Sequence, residues 1–322
     1  MSADGERMGK YLGMVGVPPL VPVVLPGRGT SGEPVWCKLE FLNPSGSTKD
    51  RIARYILEKA WRRGDLRPGG VVVEASSGST SIALALVCAQ MGLGFVAFIP
   101  DTATSERELM VRAYGGEVRR IAGGMGEVMA AAECYGEETG AFAARQFANP
   151  DNAEAHRSWT AQEVLAQLGG RGVDAVVSGV GTGGTLRGLC GGFREAGCRA
   201  VPYAAIPCCG GAFSANPECC SLEFSGKVPG VIDGMSVLYA DWKGSVEAEG
   251  LVEVAVDDGL CLELTRELWA CGFPVGPSSG LNFAAALEAQ EKLGSGAVVV
   301  TVFPDRMERY FSHAVFGELA GV

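Results

Sequence analysis

The sequence predicts an α/β protein with mostly parallel sheets covered by helices on both faces. Short valine-rich runs alternate with longer helical patterns along the chain, and each run is apolar without interruption. Strands that are apolar on both faces are typical of parallel sheets buried between helices. At about 150 residues per domain, the 322 residues predict two domains.

Five runs are predicted as strands because each is short, rich in β-branched residues and bounded by turn residues. In chain order they are VVVEA (71–75), FVAFI (95–99), AVVSG (175–179), YAAI (203–206) and AVVVTVF (297–303). The uncharged stretch 81–100 has the length of a membrane span, but Gly92 and Gly94 interrupt it. We therefore expect a buried helix and then a strand there, and no membrane association.

Four helices are predicted to begin at turns rich in glycine and hydroxyl side chains. These segments are NPSGSTKDRIARYIL (43–57), EASSGSTSIALAL (74–86), SGVGTGGTLRGL (178–189) and GPSSGLNFAAAL (276–287). The N-terminus of a helix exposes unpaired N–H groups and the positive end of the helix dipole, so each turn is a potential anion site. Four such turns are more than helix capping requires, which directs attention to the 47 glycines of the chain.

Charge and cysteine content exclude several classes of function. The net charge of −10 argues against a nucleic-acid partner. Eleven cysteines, an odd number in a long chain without a secretory signal, predict a reduced, cytoplasmic protein. The adjacent pairs 208–209 and 219–220 lack the spacing of zinc ligands, and with only two histidines, His156 and His313, no metal site is predicted.

The loop at 179–184 carries a G-x-G-x-x-G pattern in Gly179, Gly181 and Gly184. A dinucleotide site also needs an acidic residue at the end of the next strand, about 20 positions further on, and the segment after YAAI has none. The chain also has no G-K-[ST] phosphate loop. What remains is a loop of small residues at 181–185, whose N–H groups and hydroxyls suit a single phosphate monoester.

A phosphate loop, a lysine at a helix start and a hydroxyl-rich turn of carboxylate size together suggest pyridoxal phosphate (PLP). The motifs resemble the cysteine synthase (O-acetylserine sulfhydrylase) and cystathionine β-synthase family of fold type II PLP enzymes, from GVPPLVPV (16–23) to FPDRMERYFS (303–312). The resemblance implies a tryptophan synthase β-like fold and a homodimer. It also implies a large domain (1–40 plus 151–322) that binds the phosphate and a small mobile domain (41–150) that carries the lysine and the carboxylate loop.

The resemblance also assigns residues. NPSGSTKDR makes Lys49 the catalytic Schiff-base lysine, and its place on the first helical turn favours an uncharged, nucleophilic amine. The implied cofactor-binding residues are Lys49, Ser79, Gly181, Thr182, Gly183, Gly184, Thr185 and Ser278. The implied substrate-binding residues are Ser76, Ser77, Gly78, Thr80, Gln146 and Gly230.

The chain departs from the family pattern at several positions. The loop usually reads T-S-G-N-T-G, whereas here Ser79 replaces the asparagine that hydrogen-bonds the cofactor's 3′ oxygen, and Ser81 replaces a glycine and is expected to narrow the site floor. Ile232 replaces a glycine in the segment 227–234. Arg306 stands where cysteine synthases usually have serine, so it either favours a carboxylate-bearing nucleophile or forms a surface salt bridge.

Ser278 matches the family's serine that faces the pyridine nitrogen, although Ser279 next to it is an alternative as a helix cap. A neutral hydroxyl does not keep that nitrogen protonated as a carboxylate would. The carbanion is then delocalised less fully into the ring, which favours loss of a β-leaving group over transamination.

The implied reaction is β-replacement on an O-activated L-serine, O-acetylserine or O-phosphoserine, through an aminoacrylate intermediate, with sulfide giving L-cysteine. Alternatives are an amine or thiol nucleophile, as in a 2,3-diaminopropionate-precursor synthase or a cystathionine β-synthase, and β-elimination, as in a cysteine desulfhydrase. A catalytically silent paralogue acting as a binding partner is the non-enzyme alternative. The expected partners are small amino-acid substrates and a second copy of the chain.

Overall fold

The computed structural model describes residues 11–28, 32–76, 78–208, 228–231 and 236–317. Within these residues the strands are β1 (Leu20–Val23), β2 (Val35–Lys38), β3 (Val71–Ala75), β4 (Gly94–Pro100), β5 (Glu117–Ile121), β6 (Phe142–Ala143), β7 (Ala175–Gly179), β8 (Val201–Cys208), β9 (Val252–Asp257) and β10 (Val299–Val302). They form two sheets.

The helices separate most of these strands. In chain order they are α1 (Lys49–Arg63), α2 (Ser79–Met91), α3 (Ser105–Ala113), α4 (Met125–Thr139), α5 (Asp151–Ala155), α6 (Ala161–Gln167), α7 (Gly184–Glu195), α8 (Val237–Lys243), α9 (Asp258–Ala270) and α10 (Pro277–Leu293). A single π-helical turn, His156–Thr160, joins α5 to α6.

The larger sheet has six strands in the order β1-β2-β10-β7-β8-β9. Every pair is parallel except β1 with β2. The smaller sheet, β5-β4-β3-β6, is parallel throughout. Helices flank both sheets, so the predicted α/β class with mostly parallel sheets is confirmed.

Each predicted strand forms, with small changes in its ends. Residues 71–75 and 175–179 match in full, while the YAAI strand is longer than predicted and the final strand is shorter. The uncharged stretch that has the length of a membrane span folds as α2, closed by Gly92 in the left-handed conformation, and then as β4. In the described part of the chain, no helix is both long and apolar enough to cross a bilayer.

Each sheet has a buried core of its own. Val177, Val299 and Phe283 belong to a core cluster that includes side chains of the larger sheet, α9 and α10. Ile56 and Ile82 belong to another, which includes side chains of α1, α2 and the smaller sheet. The two-domain boundaries given above remain a prediction, with which two separately packed sheets agree.

Candidate active site

The starts of α1, α2 and α10 and the loop before α7 line one cavity. Its space is about 820 Å³, counting the part that is open to solvent. The carboxyl ends of β7 and β10 also reach it through Gly179 and Val302. The anion-binding turns predicted from separate parts of the sequence therefore face the same space.

Most of the predicted site residues line this cavity. They are Lys49, Ser76, Ser79, Thr80, Gln146, Gly181, Thr182, Gly183, Thr185, Gly230 and Ser278. Gly78 and Gly184 lie next to lining residues without lining the cavity themselves. Ser77, Ile232 and the cysteines at 209, 219 and 220 lie outside the described residues.

Lys49 is the first residue of α1, and the segment before it is fixed to the end of the larger sheet. The Thr48 N–H donates to the carbonyl of Pro304 at 2.8 Å, and Ser47 forms an isolated antiparallel bridge with Asp305. Burial lowers the pKa of Lys49 below that of an ordinary lysine, against the opposing charge of Asp305. This shift favours the uncharged amine that a nucleophile or base requires.

The turn before Lys49 is held by buried polar contacts. The Asp50 carboxylate accepts the Ser45 backbone N–H at 2.6 Å and also the Ser45 hydroxyl, and burial raises the pKa of Asp50 to about 6. Arg309 donates to the carbonyl of Gly46 at 2.7 Å and to that of Ser45. Gly46 has φ +84°, so the turn requires glycine there.

Arg51, two residues after Lys49, anchors α1 through a buried ion network. Its guanidinium forms paired hydrogen bonds of 2.6 and 2.8 Å to Glu40 and of 2.7 and 2.7 Å to Glu163 in α6. Lys38 reaches the same Glu163 carboxylate at 2.8 Å. These contacts join the helix that carries Lys49 to β2 and α6.

The loop that starts α2 is organised by Ser76 and Gly78. The Ser76 hydroxyl accepts the N–H groups of Gly78 at 3.0 Å and Ser81 at 3.4 Å. Gly78 has φ +147°, and a Cβ there would overlap the side chain of Arg107. Ser81 is fully buried and does not line the cavity, so the expectation that it narrows the site floor is wrong.

Gln146 is locked against this loop by its backbone and its side chain. Its amide Nε2 donates to the Ala75 carbonyl at 2.8 Å, and its Oε1 accepts the Thr80 hydroxyl at 2.5 Å. The buried carboxylate of Glu74 accepts the Gln146 backbone N–H at 3.1 Å and the Ala75 N–H at 2.8 Å. Arg145, just before it, has φ +53°, an uncommon conformation outside glycine that indicates an over-determined turn.

The loop 181–185 is packed so closely that only glycine fits at its main positions. A Cβ on Gly183, which has φ +76°, would lie 2.7 Å from the Tyr239 Cβ. One on Gly184 would overlap Asn152, whose side chain donates to the Thr182 hydroxyl at 3.0 Å. The backbone amides at the start of α7 thus stand at the cavity wall, where they can bind an anion.

His156 supports this loop from behind. Its Nε2 lies 3.2 Å from the Thr185 hydroxyl, and its Nδ1 lies 3.0 Å from that of Thr160. Burial lowers the pKa of His156 well below its usual value, so the ring is neutral. The interpretation of His156 as structural agrees with these contacts.

At the start of α10, Ser278 lines the cavity and Ser279 does not. The N-cap of this helix is Gly276, and no side chain caps it, so Ser279 is not the cap. Asn282, one turn on, ties α10 to both neighbouring strands, because it accepts from the Gly179 N–H at 2.6 Å and donates to the Val302 carbonyl at 2.8 Å.

Comparison with known proteins identifies the family. Residues 12–305 match the model of the family described as pyridoxal-phosphate dependent enzymes. A cysteine synthase of Staphylococcus aureus is 37% identical over 288 residues, which cover 88% of this chain and 89% of that one. The chain belongs to the cysteine synthase-like PLP-dependent enzymes.

Other relatives show that chemistry varies within this family. O-ureido-L-serine synthase from Streptomyces lavendulae is 35% identical, with 88% of this chain and 85% of that one covered. The crystal structure of a hydrogen sulfide-producing enzyme from Fusobacterium nucleatum has a TM-score of 0.85 at 28% identity, covering 97% of this chain and 92% of the other. The enzyme therefore uses PLP, and the fold type II assignment is confirmed.

The cavity fits this cofactor. The crowded glycines leave backbone amides at the cavity wall for a phosphate, and the side chain of Lys49 lies in the same space. The Ser278 side chain is available there for a ring nitrogen. The PLP-binding residues would be Lys49, the 181–185 loop and Ser278.

Three lining residues were not found from the sequence: Arg107, Asp305 and Tyr310. The Tyr310 hydroxyl donates to Asp305 Oδ2 at 2.7 Å, and the Arg107 guanidinium lies 5.0 Å from the centre of the Tyr310 ring. The Ser79 hydroxyl, expected to face the cofactor's 3′ oxygen, donates to the same Asp305 oxygen at 3.1 Å.

Arg306 forms an ion pair with Glu308 at 2.5 Å, and both side chains are about 40% exposed. This is the surface salt bridge that the sequence left as one of two possibilities. The other, a cation that binds the carboxylate of a nucleophile, loses its support from this residue.

Proposed function

We propose that this enzyme catalyses β-replacement on an O-activated L-serine, O-acetylserine or O-phosphoserine, with sulfide as the nucleophile and L-cysteine as the product. The observation that carries the proposal is the meeting of Lys49, the carboxylate loop and the glycine loop in one cavity. The cysteine synthase relative supports sulfide as the nucleophile.

Bound PLP supplies an electron sink that stabilises negative charge at the α-carbon of the amino acid. Lys49 holds the cofactor and, once released, removes the α-proton through Nζ, since burial keeps its amine uncharged more readily than usual. The N–H groups and hydroxyls around Ser76 and Thr80, with Gln146, orient the substrate carboxylate. Ser278 faces the ring nitrogen with a neutral hydroxyl, which favours loss of a β-leaving group over transamination.

A second candidate keeps this chemistry and changes the nucleophile. The O-ureido-L-serine synthase relative, 35% identical, makes a serine derivative whose added group is not sulfide. An amine or thiol nucleophile and simple β-elimination remain within the same proposal class. The cavity wall formed by Gly230 and its neighbours includes the side on which these nucleophiles would differ.

We also infer that the enzyme is a cytoplasmic homodimer whose small domain (41–150) closes on the large one (1–40 plus 151–322). Family resemblance supports the dimer, and the exposed apolar side chains of Met14, Val17 and Val24 offer surface for one. Sedimentation equilibrium tests it, and a monomer at all concentrations would contradict it.

The first experiment tests the cofactor link. The purified enzyme is reduced with borohydride and digested, and mass spectrometry should place a pyridoxyl group on Lys49. Lys49→Ala should lack the adduct, whereas Lys292→Ala, which removes an exposed lysine paired with Glu288, should keep it. An adduct absent from the wild type after reconstitution with PLP would refute the proposal.

The second experiment identifies the reaction. O-acetylserine and O-phosphoserine are each mixed with sulfide, homocysteine, glutamate or hydroxyurea, and products are identified by mass spectrometry. We expect L-cysteine from sulfide at the highest kcat/KM. A higher value with another nucleophile would replace sulfide by that nucleophile, and turnover without any nucleophile would identify an eliminating enzyme.

A further inference from the structure

Asp305 is the residue at which three segments of the active site meet. It follows β10 at the carboxyl edge of the larger sheet, is 5% exposed and lines the cavity. Its backbone pairs with Ser47, just before Lys49, and its carbonyl accepts the Gly276 N–H at 2.9 Å, just before the helix of Ser278. Its side chain reaches the third segment, the carboxylate loop, through Ser79.

The carboxylate of Asp305 is arranged asymmetrically. Oδ2 accepts the hydroxyls of Ser79 at 3.1 Å and Tyr310 at 2.7 Å. Oδ1 is buried and has no hydrogen-bond partner among the described residues. A Cβ on Gly276 would overlap this oxygen, so the chain leaves room for the carboxylate. A buried acid that accepts two hydroxyls is a strong acceptor, because charged hydrogen bonds exceed neutral ones.

The contact with Ser79 also joins the two sheets. Ser79 begins α2 beside the smaller sheet, whereas Asp305 belongs to the larger one, 226 residues away in sequence. The hydroxyl of Ser79 is therefore directed by Asp305, and the first turn of α2, which carries Thr80, is fixed relative to Lys49. An asparagine is longer than serine, so this arrangement is particular to the serine found here.

We propose that Asp305 is a positioning residue, which orients Ser79 and through it the turn that receives the substrate carboxylate. The inference rests on the proposed function, since it names how that carboxylate site is held. Removing the contact loosens the binding turn more than it affects Lys49 itself, so substrate affinity is lost before turnover.

The test compares Ser79→Ala, Asp305→Asn and the double variant with the wild type as PLP-loaded enzymes. We expect KM for the amino-acid substrate to rise about 10-fold, as for one hydrogen bond to a charged group. We expect kcat to change less than about 3-fold. The double variant should be no worse than the worse single variant, because both remove the same bond. Ser79→Thr, which keeps a hydroxyl, should restore KM.

A matched control is Ser312→Ala. The Ser312 hydroxyl donates to Glu106 Oε2 at 3.0 Å, so it also links α3 to the C-terminal segment, but on the exposed surface. It should leave KM unchanged. An equal rise in KM for this variant, effects of Ser79→Ala and Asp305→Asn that multiply, or an unchanged Ser79→Ala would each overturn the proposal.

A stability cycle separates this inference from the proposed function. The shifts in Tm of the two single variants should exceed that of the double variant when summed, whether or not the enzyme makes cysteine. Additive Tm shifts would show that the Ser79–Asp305 bond is not made, even where the reaction is as proposed. Absence of product with a non-additive cycle would refute the function and leave the contact intact.

Discussion

At the scale of single residues, Glu74 is a carboxylate placed where ionisation is costly. It is 3% exposed at the end of β3, and burial raises its pKa from 4.5 to about 8, against hydrogen bonds from two backbone N–H groups. Between these pH values the unfolded chain loses the proton while the folded chain keeps it. The folded state therefore binds more protons, and stability falls as the pH rises through this window.

This predicts the behaviour of Glu74→Gln. The variant has no proton to lose, so its free energy of unfolding should gain on that of the wild type from about pH 5 to about pH 8 and then stay level. Urea unfolding at a series of pH values measures the difference. Glu133→Gln, at a side chain 56% exposed, is the control and should show no such trend. Parallel curves for Glu74→Gln and wild type would contradict the prediction.

Lys49 was predictable because a short motif carries it, whereas Asp305, Tyr310 and Arg107 were not. Their roles depend on contacts between segments about 200 residues apart, such as Arg107 with Tyr310. A sequence pattern reports neighbours along the chain, and these contacts exist only once the two sheets are packed. Ser79 shows the same limit, since its hydroxyl is directed by a residue that no local pattern links to it.

At the scale of elements, α1 positions Lys49 through Arg51. Breaking a buried ion pair from one side typically costs about 3–5 kcal/mol, and lysine cannot form the two forked contacts with Glu40 and Glu163. We expect Arg51→Lys to lose stability of this order, measured by denaturant unfolding. Arg62→Lys, in the same helix with a side chain 73% exposed and paired with Glu58, should lose less than about 1 kcal/mol. Equal losses would contradict the prediction.

The glycine loop before α7 offers a sharper comparison. Gly183 and Gly197 flank this helix, with φ of +76° and +83°, so alanine strains the backbone at both. Only at Gly183 would the added Cβ meet a neighbour, Tyr239, while Gly197 has open space around it. We expect Gly183→Ala to bind PLP at least about 10-fold more weakly, and Gly197→Ala to bind it normally. Titration of the apo-proteins measures this, and equal affinities would disprove it.

Elements were predicted well where the strand is apolar on both faces and poorly where it is not. β3 and β7, in the middle of the sheets, were found with their full bounds. β5 is an edge strand of sequence EVRRI with exposed charged side chains, and β9 alternates polar with apolar residues at the other sheet's edge. Edge strands are only half buried, so their composition resembles that of loops.

At the scale of the whole molecule, the cofactor site draws on both sheets. Lys49 and the carboxylate loop come from the segment predicted as the small domain, and the glycine loop and Ser278 come from the other. The Ser79–Asp305 and Glu106–Ser312 contacts join the same two parts. A ligand held by both parts binds the assembled chain and not the unfolded one, so it should stabilise the molecule as a whole.

Lys49→Ala makes this measurable, because the cofactor is then held without a covalent bond. Its Tm should rise with PLP concentration, with a stabilisation of about 2.7 kcal/mol when free PLP is 100 times its Kd. The wild type, already linked through Lys49, should show a Tm that does not depend on added PLP. Pyridoxal without the phosphate is the control ligand and should stabilise Lys49→Ala far less, since it offers nothing to the loop 181–185. Equal stabilisation by both ligands would mean that this loop does not hold the phosphate.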